Sequence, residues 1–331
     1  MKLPSIQRGM LNTTLGSIFY LMSDGRNPAT TATEKPPILC FHMSPRSSDE
    51  YLEILPLLAL GNEENNDDRT GGGRAVIAFD IPGYGASENP PRSCTIDEIS
   101  DAFLNAADSI LEEDGSCTNY VTVGSLMGNY FCVSLASRYP ERIKAGILTN
   151  PWFNPDVAVA SESKCNDGAP IEESFVLEDD GSHLVGLHSK RSGWLNPELN
   201  FRVVHSEIAY LANRRVRYPK GIYVQGGNDY HFQTPVQTIV EQRSDNSDNA
   251  CQFLCITGDA CASLFDRFGL EGTKRFDEAC KLLLGPSDGD GSSSAVKVKR
   301  LEGDKSTLNL VNQMPEEFAA LCNNFLSERG L

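Results

Sequence analysis

The fold is decided by the stretch Tyr120-Val121-Thr122-Val123-Gly124-Ser125-Leu126-Met127-Gly128. Its first four residues are apolar or β-branched, which favours a buried β-strand. Two glycines then flank a short turn, and Met127, Phe131 and Leu135 follow with the spacing of one helical face. The stretch therefore predicts a buried strand, a sharp turn and a helix.

This outline is that of a nucleophile elbow, in which G-x-S-x-G places a serine at the tip of a strained turn. Here the tip residue is Leu126, and Ser125 lies one position before it. Leucine has neither a proton to lose nor a lone pair with which to attack, so covalent catalysis at the tip is excluded. We predict that Ser125 is structural or lines the pocket, because the turn projects only one side chain. A role for Ser125 as the nucleophile is the alternative.

Apolar strands alternate with amphipathic helices on both sides of this stretch. Strands are predicted at 37–41, 75–79, 145–148, 252–257 and 295–299, with an opening hairpin at 11–22 and helices at 50–60 and from Pro315 onward. Strands that are apolar along their whole length indicate a parallel sheet covered on both faces. The alternation stops between 154 and 247, which predicts a helical lid inserted between core segments 1–153 and 248–331.

The amino-acid composition and the net charge argue against several classes of binding partner. The 331 residues carry a net charge of −16, so neither nucleic acid nor an anionic membrane surface is an expected partner. No signal-peptide core and no apolar stretch of roughly 20 residues is found, which predicts a soluble protein. The ten cysteines form no C-x-x-C pair, which indicates reduced, mostly buried thiols in a cytoplasmic protein. Neither a metal site nor a cofactor is predicted, and the oligomeric state stays open.

Three further segments have a recognisable order. Phe41-His42-Met43-Ser44-Pro45 follows the third predicted strand, and Asp80-Ile81-Pro82-Gly83-Tyr84-Gly85-Ala86-Ser87 follows the fourth. Tyr139-Pro140-Glu141-Arg142-Ile143 precedes the sixth. Together with the elbow, they make the chain resemble the α/β-hydrolase superfamily, specifically its lidded members related to haloalkane dehalogenases and epoxide hydrolases. The resemblance implies an α/β fold with a mostly parallel eight-stranded sheet, helices on both faces and a helical lid.

The catalytic triad that the resemblance implies is not present at its expected positions. The nucleophile position is Leu126. The acid should follow the strand before last, where Asp259 is close, but the position three residues after Gly258 holds Cys261. The histidine should follow the last strand, yet no histidine occurs after His231. A Ser-His-acid relay is therefore not expected.

An anion cradle is the part of the site that we expect to survive. The backbone N–H of Met127 and one from the Met43–Ser44 turn belong to the main chain, so losing the serine need not remove them. The alternative is that the turn persists only because Gly124 and Gly128 allow close packing. Candidate catalytic residues are His231, His42 and Asp259. Candidate ligand-binding residues are Met43, Ser44, Ser125, Leu126, Met127, Trp152, Phe153 and His183.

Three functions stay open at this point. The chain could be a pseudoenzyme that binds a small, largely apolar ligand in a pocket lined by Trp152 and Phe153. It could be a non-hydrolytic enzyme, in which a histidine near the cradle acts as an acid or base. The third function is hydrolysis of an ester or related small molecule through a non-standard arrangement. Loss of all three triad positions favours the first two.

Overall fold

An eight-stranded sheet runs through the part of the chain that the computed structural model describes. The described residues are 3–26, 35–44, 46–61, 73–92, 94–111, 119–151, 178–192, 224–225, 233–245, 251–267, 271–285 and 295–331. The strands are β1 (Ile6–Thr13), β2 (Gly16–Asp24), β3 (Ile38–Phe41), β4 (Ala75–Phe79), β5 (Tyr120–Ser125), β6 (Ile143–Thr149), β7 (Gln252–Gly258) and β8 (Val296–Leu301). Their order in the sheet is β1-β2-β4-β3-β5-β6-β7-β8.

The sheet is mostly parallel. β1 and β2 form the predicted antiparallel hairpin, and β2 also pairs antiparallel with β4. Every other neighbouring pair in this sheet is parallel. A separate pair of short parallel strands joins Cys94–Thr95 to Val224–Gln225.

Helices follow most of the parallel strands. They are α1 (Leu55–Leu60), α2 (Ile96–Leu111), α3 (Gly128–Arg138), α4 (Ser182–Ser192), α5 (Gln233–Asp245), α6 (Asp259–Arg267), α7 (Gly272–Leu284), α8 (Leu310–Gln313) and α9 (Pro315–Ser327). The predicted fold class, a mostly parallel eight-stranded sheet with helices on both faces, is confirmed.

Two hydrophobic cores lie on the two faces of the sheet. On one face, Phe41 and Phe79 pack with Phe103 of α2 and Phe131 of α3, and the contacting ring centroids are 5.1 to 6.4 Å apart. On the other face, strand residues such as Val121 pack against α1 and α9. Successive residues of a strand point to opposite faces, so two covered faces explain why the central strands are apolar throughout.

Local sequence features explain where two helices begin. Thr95 N–H donates to Glu98 Oε2 at 2.8 Å and Glu98 N–H donates to Thr95 Oγ1 at 3.1 Å, which is a reciprocal capping box at the start of α2. The predicted helix at 50–60 is wrong at its start, because α1 begins only at Leu55. Pro56 has no N–H to donate, so it is tolerated in the first turn and not in a helix interior. The residues before it form a separate 3₁₀ turn, Ser48–Tyr51.

The predicted lid lies largely outside the described residues. Within 154–247 the structure describes α4, α5 and the short strand Val224–Gln225. Helix α5 packs on the core through buried Val236 and Ile239, and Gln242 Nε2 donates to the Ser137 carbonyl at 3.0 Å. The other residues of this span lie outside the described residues, so the lid and the domain boundaries stay a prediction.

Cysteines are distributed through both cores. Eight lie among the described residues, and all eight are buried and form no disulfide bond. Cys40 and Cys322 belong to the core under α1 and α9, whereas Cys132, Cys255 and Cys280 belong to the opposite core.

No described helix combines the length and the apolar character needed to cross a membrane. Within the same residues, no cluster of His, Cys, Asp and Glu could hold a metal ion.

Gly128 is the tightest point of helix packing near the elbow. A Cβ on Gly128 would lie 1.8 Å from the Phe41 carbonyl oxygen, so Gly128→Ala should reduce the free energy of unfolding by more than about 3 kcal/mol. A Cβ on Gly186 of α4 would have no neighbouring atom within 4 Å, so Gly186→Ala should be neutral or stabilising by up to about 1 kcal/mol. Urea unfolding of both variants tests the difference, and similar effects would contradict the close approach.

Candidate functional site

The elbow keeps its strained conformation without its nucleophile. Leu126 has φ 45°, in the left-handed region that residues other than glycine seldom adopt. Its N–H donates to the Thr149 carbonyl at 3.1 Å, and its carbonyl accepts the Asn129 N–H at 3.0 Å. The turn is therefore held from both sides by main-chain hydrogen bonds, and its side chain is half-buried at the tip.

Close packing at the two glycines accompanies this turn. A Cβ on Gly124 would lie 2.6 Å from the Asn129 backbone nitrogen. A Cβ on Gly128 would collide with the end of β3, next to the Met43–Ser44 turn. Since β3 and β5 are neighbours, with Phe41 paired to Gly124, the turn after β3 lies beside the elbow.

The donors of the expected anion cradle are only partly available. The Met43 N–H donates to Glu50 Oε2 at 2.9 Å, so it is already occupied. The Ser44 hydroxyl lies 3.1 Å from the Tyr84 hydroxyl. Among the described residues, no acceptor is bonded to the N–H of Ser44 or Met127. The cradle is therefore reduced to these two main-chain donors.

His42 is a structural histidine in this arrangement. Its Nε2 accepts the Ile81 N–H at 3.0 Å, which requires Nε2 to be unprotonated. The proton is then on Nδ1, which lies 2.8 Å from the Met43 carbonyl. Burial away from water lowers the pKa of His42 to about 4, an effect that the bond to Met43 opposes and the Arg46 charge reinforces. Neither ring nitrogen is left to act as a general base.

The acid and histidine positions have other structural contacts. Asp259 begins α6, has a half-exposed side chain, and lies 4.0 Å from Arg300 Nη1. Where the resemblance implies a histidine, Ser306 accepts the Ala260 N–H on Oγ at 3.2 Å and the Cys261 N–H on its carbonyl at 3.0 Å. The two loops are thus joined at the start of α6, and neither of them contains a histidine.

Other predicted residues are distributed differently. His183 lies on α4, where its Nδ1 accepts the Glu178 N–H at 3.0 Å. Ser125 is fully buried on β5. Trp152, Phe153 and His231 lie outside the described residues. The structure therefore brings together Ser125, Leu126 and Met127 with the Met43–Ser44 turn, and it places Asp259 on the surface.

Polar residues around the elbow were missed by the sequence analysis. Asn129 Nδ2 donates to the Thr149 carbonyl at 3.0 Å, and Thr257 Oγ1 donates to Asn150 Oδ1 at 2.9 Å. Asn150 has φ 47° and is a second residue in the left-handed region at the end of a strand, where asparagine is one of the better tolerated residue types. The sequence does contain one indication of these residues, because the apolar strand β6 ends in two polar residues. Ligands of α/β sheets bind outside the carboxyl ends of the strands, so polar residues at a strand end are candidates for a binding site.

Asp80 is a buried carboxyl group in the residue before Ile81, whose N–H donates to His42. It accepts the N–H groups of Ser48 at 2.6 Å and Ala86 at 2.7 Å. Burial raises the pKa of Asp80 to about 6, and the two hydrogen bonds only partly oppose that rise. Asp80 and His42 together hold the loops after β3 and β4 in place.

Parts of this sequence are similar to those of known proteins. The profile of the α/β hydrolase fold matches residues 36–166, which contain β3 to β6 and the elbow. (Lyso)-N-acylphosphatidylethanolamine lipase of Mus musculus is 30% identical over 90 residues, covering 27% of this chain and 26% of the relative. 1-Acylglycerol-3-phosphate O-acyltransferase ABHD5 of Rattus norvegicus is 27% identical over 106 residues, covering 31% of this chain and 27% of the relative. The chain thus spans about a quarter of the length of these curated relatives.

Solved structures match over nearly the whole chain. A thermophilic esterase from Thermogutta terrifontis superposes with a TM-score of 0.60 at 16% identity, covering 97% of this chain and 98% of that one. A haloalkane dehalogenase variant from Bradyrhizobium elkanii gives a TM-score of 0.55 at 15% identity, covering 98% and 97%. At these identities the likeness shows the fold alone.

The lowered pKa of His42 has a consequence for stability. The pKa of His42 is about 4 in the folded chain and ordinarily 6.5. Between these two pH values the unfolded chain binds more protons at His42 than the folded chain does. The contribution of neutral His42 to stability is therefore lost as the pH falls through this range. Asp80, with a raised folded pKa, contributes in the opposite direction. In His42→Gln only the His42 contribution is removed, because the amide can still accept the Ile81 N–H.

We therefore expect the stability advantage of the wild type over His42→Gln to increase by about 2 kcal/mol from about pH 4.5 to pH 7. Urea unfolding of both proteins across this range measures the difference, in which groups common to both cancel. A constant difference would mean that His42 titrates normally in the folded protein.

Proposed function

We propose that this chain, which has the α/β-hydrolase fold, is a pseudoenzyme that binds a small, largely apolar ligand at the elbow. The observation that carries this proposal is Leu126. Its backbone has the left-handed conformation of the elbow tip, the position that in this turn faces the ligand. An apolar, half-buried side chain there can contact a ligand and cannot attack it.

Several contacts support the absence of triad hydrolysis. A serine nucleophile needs a base within hydrogen-bond reach, and His42 has both ring nitrogens engaged. The Ser125 side chain is fully buried, so a substrate carbonyl would have to enter the sheet to reach it. Ser306 and Asp259 have the structural contacts described above in place of a relay.

The names of the relatives support an acyl chain as the apolar part of the ligand. One relative is a lipase for an N-acylated phospholipid and another is an acyltransferase for an acylglycerol phosphate. The matched region is short, so only this shared chemical feature is carried over. Leu126 and Met127, both half-buried and apolar, offer side chains that an acyl chain can contact, and the sequence predicts Trp152 and Phe153 as further pocket residues.

Catalysis can be tested with a fluorophosphonate probe and with hydrolysis of p-nitrophenyl butyrate. We expect neither labelling nor turnover above a Ser125→Ala control, because both ring nitrogens of His42 are engaged and no histidine follows β8. Leu126→Ser restores a hydroxyl at the tip and should still give no turnover, since the base is missing. Wild-type labelling that disappears in Ser125→Ala would establish a non-standard hydrolase and overturn the proposal.

Ligand binding can be tested with the fluorescent apolar probe N-phenylnaphthylamine. Leu126→Asn keeps a residue type that tolerates the left-handed conformation and removes apolar surface, so we expect about tenfold weaker probe binding. Leu284→Asn, at the exposed end of α7, is the matched control and should leave the affinity unchanged. Equal affinities for all three proteins would place the probe elsewhere.

A further inference from the structure

The strand β1 forms one edge of the sheet. It pairs with β2, and no strand of the described chain pairs with its other side. Thr13 and Gly16 pair across the two-residue turn between β1 and β2, and a turn of this length closes on a hydrogen-bonded pair. Hydrogen-bonded pairs alternate along an antiparallel ladder, so every second residue of β1 directs its main-chain N–H and C=O groups away from β2. These residues are Ile6, Arg8, Met10 and Asn12.

This outer side of β1 is open to solvent. No residue of the strand is buried, and Arg8 and Asn12 are exposed. Met10 is 50% exposed, which makes it one of the large apolar side chains on the described surface. The described part of the chain therefore leaves both the main-chain groups and an apolar side chain of this edge uncovered.

The two edges of the sheet differ in their protection against pairing. β8, the opposite edge, carries Lys297, Lys299 and Arg300 within six residues, and such charges on an edge strand oppose pairing with another strand. In β1, Arg8 is the single charged residue, and it is also the single one in the whole stretch 6–23. An exposed edge with so little charge and no proline is a template for another strand.

Charge indicates which strand can pair there. The chain carries a net charge of −16, so two copies repel one another on average. Along 6–23, however, there is no acidic side chain to oppose another. Two antiparallel β1 strands can be centred on Gly9, which places Arg8 of each copy opposite Met10 of the other. In that register no like charges are directly opposite.

Gly9 fits the centre of such a pair. It would lie opposite its counterpart in a non-hydrogen-bonded pair, where the two strands approach most closely. A Cβ on Gly9 would lie 2.3 Å from Tyr20 Cζ, so the Tyr20 ring already covers this position and extends toward the edge. The two Tyr20 rings would then be near one another on one face of the extended sheet. On the other face, Met10 would pack against the aliphatic part of Arg8.

We infer that β1 is the interface between two copies of this chain, which associate by antiparallel pairing of their β1 strands about a two-fold axis at Gly9. The pairing joins the two sheets into one. A two-fold contact uses the β1 edge of both copies, so association stops at the dimer. The inference is independent of any ligand at the elbow.

The interface is small, because one strand from each copy carries it. It lies at the low end of the range for specific interfaces, so we expect a dissociation constant on the order of 10 µM. Sedimentation velocity between about 1 and 200 µM should show the wild type changing from monomer to dimer, because the dimer fraction follows mass action.

The sign of the charge at Met10 tests the register. Met10→Lys places a lysine opposite Arg8 twice in each dimer, so we expect at least about tenfold weaker association. Met10→Glu places an acid opposite Arg8 and should dimerise at least as well as the wild type. Val298→Lys is the matched control, because Val298 is a similarly exposed apolar residue on β8. It should leave dimerisation unchanged, and far-UV circular dichroism establishes that all variants are folded.

A charge exchange completes the test. Arg8→Glu combined with Met10→Lys again places opposite charges across the axis, so dimerisation should be restored relative to Met10→Lys alone. A wild type that is monomeric at about 200 µM would overturn the inference, including the case in which this edge pairs only with a strand of another protein. Equal effects of Met10→Lys and Met10→Glu, or a dimer lost in Val298→Lys, would also overturn it.

Discussion

The close approach of α3 to β3 and β5 is the constraint on which the elbow depends. Gly128 lies against the Phe41 carbonyl and Gly124 against the start of α3, so neither position has room for a side chain. The chain must pass from strand to helix in very few residues, which forces Leu126 into the left-handed region. The constraint is one of packing and is independent of the chemistry at the tip. The turn can therefore keep its conformation in a protein that lacks the catalytic residue usually found at its tip.

Strands and helix starts were predictable because their signals are local or periodic. β3 to β7 are covered on both faces, so each is a continuous apolar run that is visible in the sequence. The capping box at Thr95 and Glu98 is equally local. The break before α1 was also readable from Pro56, although the prediction extended the helix across it.

The site was less predictable because its decisive contacts join residues far apart in the chain. Glu50 takes the N–H of Met43, Ile81 donates to His42, and Ser306 caps a helix that begins at Asp259. None of these contacts has a spacing that identifies it in advance. In the sequence, Thr149 and Asn150 have the pattern of an ordinary strand end, although each has a buried side-chain atom without a partner among the described residues.

The buried cysteines have a consequence for how opening of the fold can be followed. Burial raises the pKa of Cys251 and Cys261 to about 12 and that of Cys40, Cys132 and Cys322 further. The reactive thiolate is thus suppressed while the chain is folded. Alkylation then requires local or global opening. Cys322 lies in one core and Cys132 in the other. The alkylation rates of these two thiols therefore report separately on the opening of each face of the sheet.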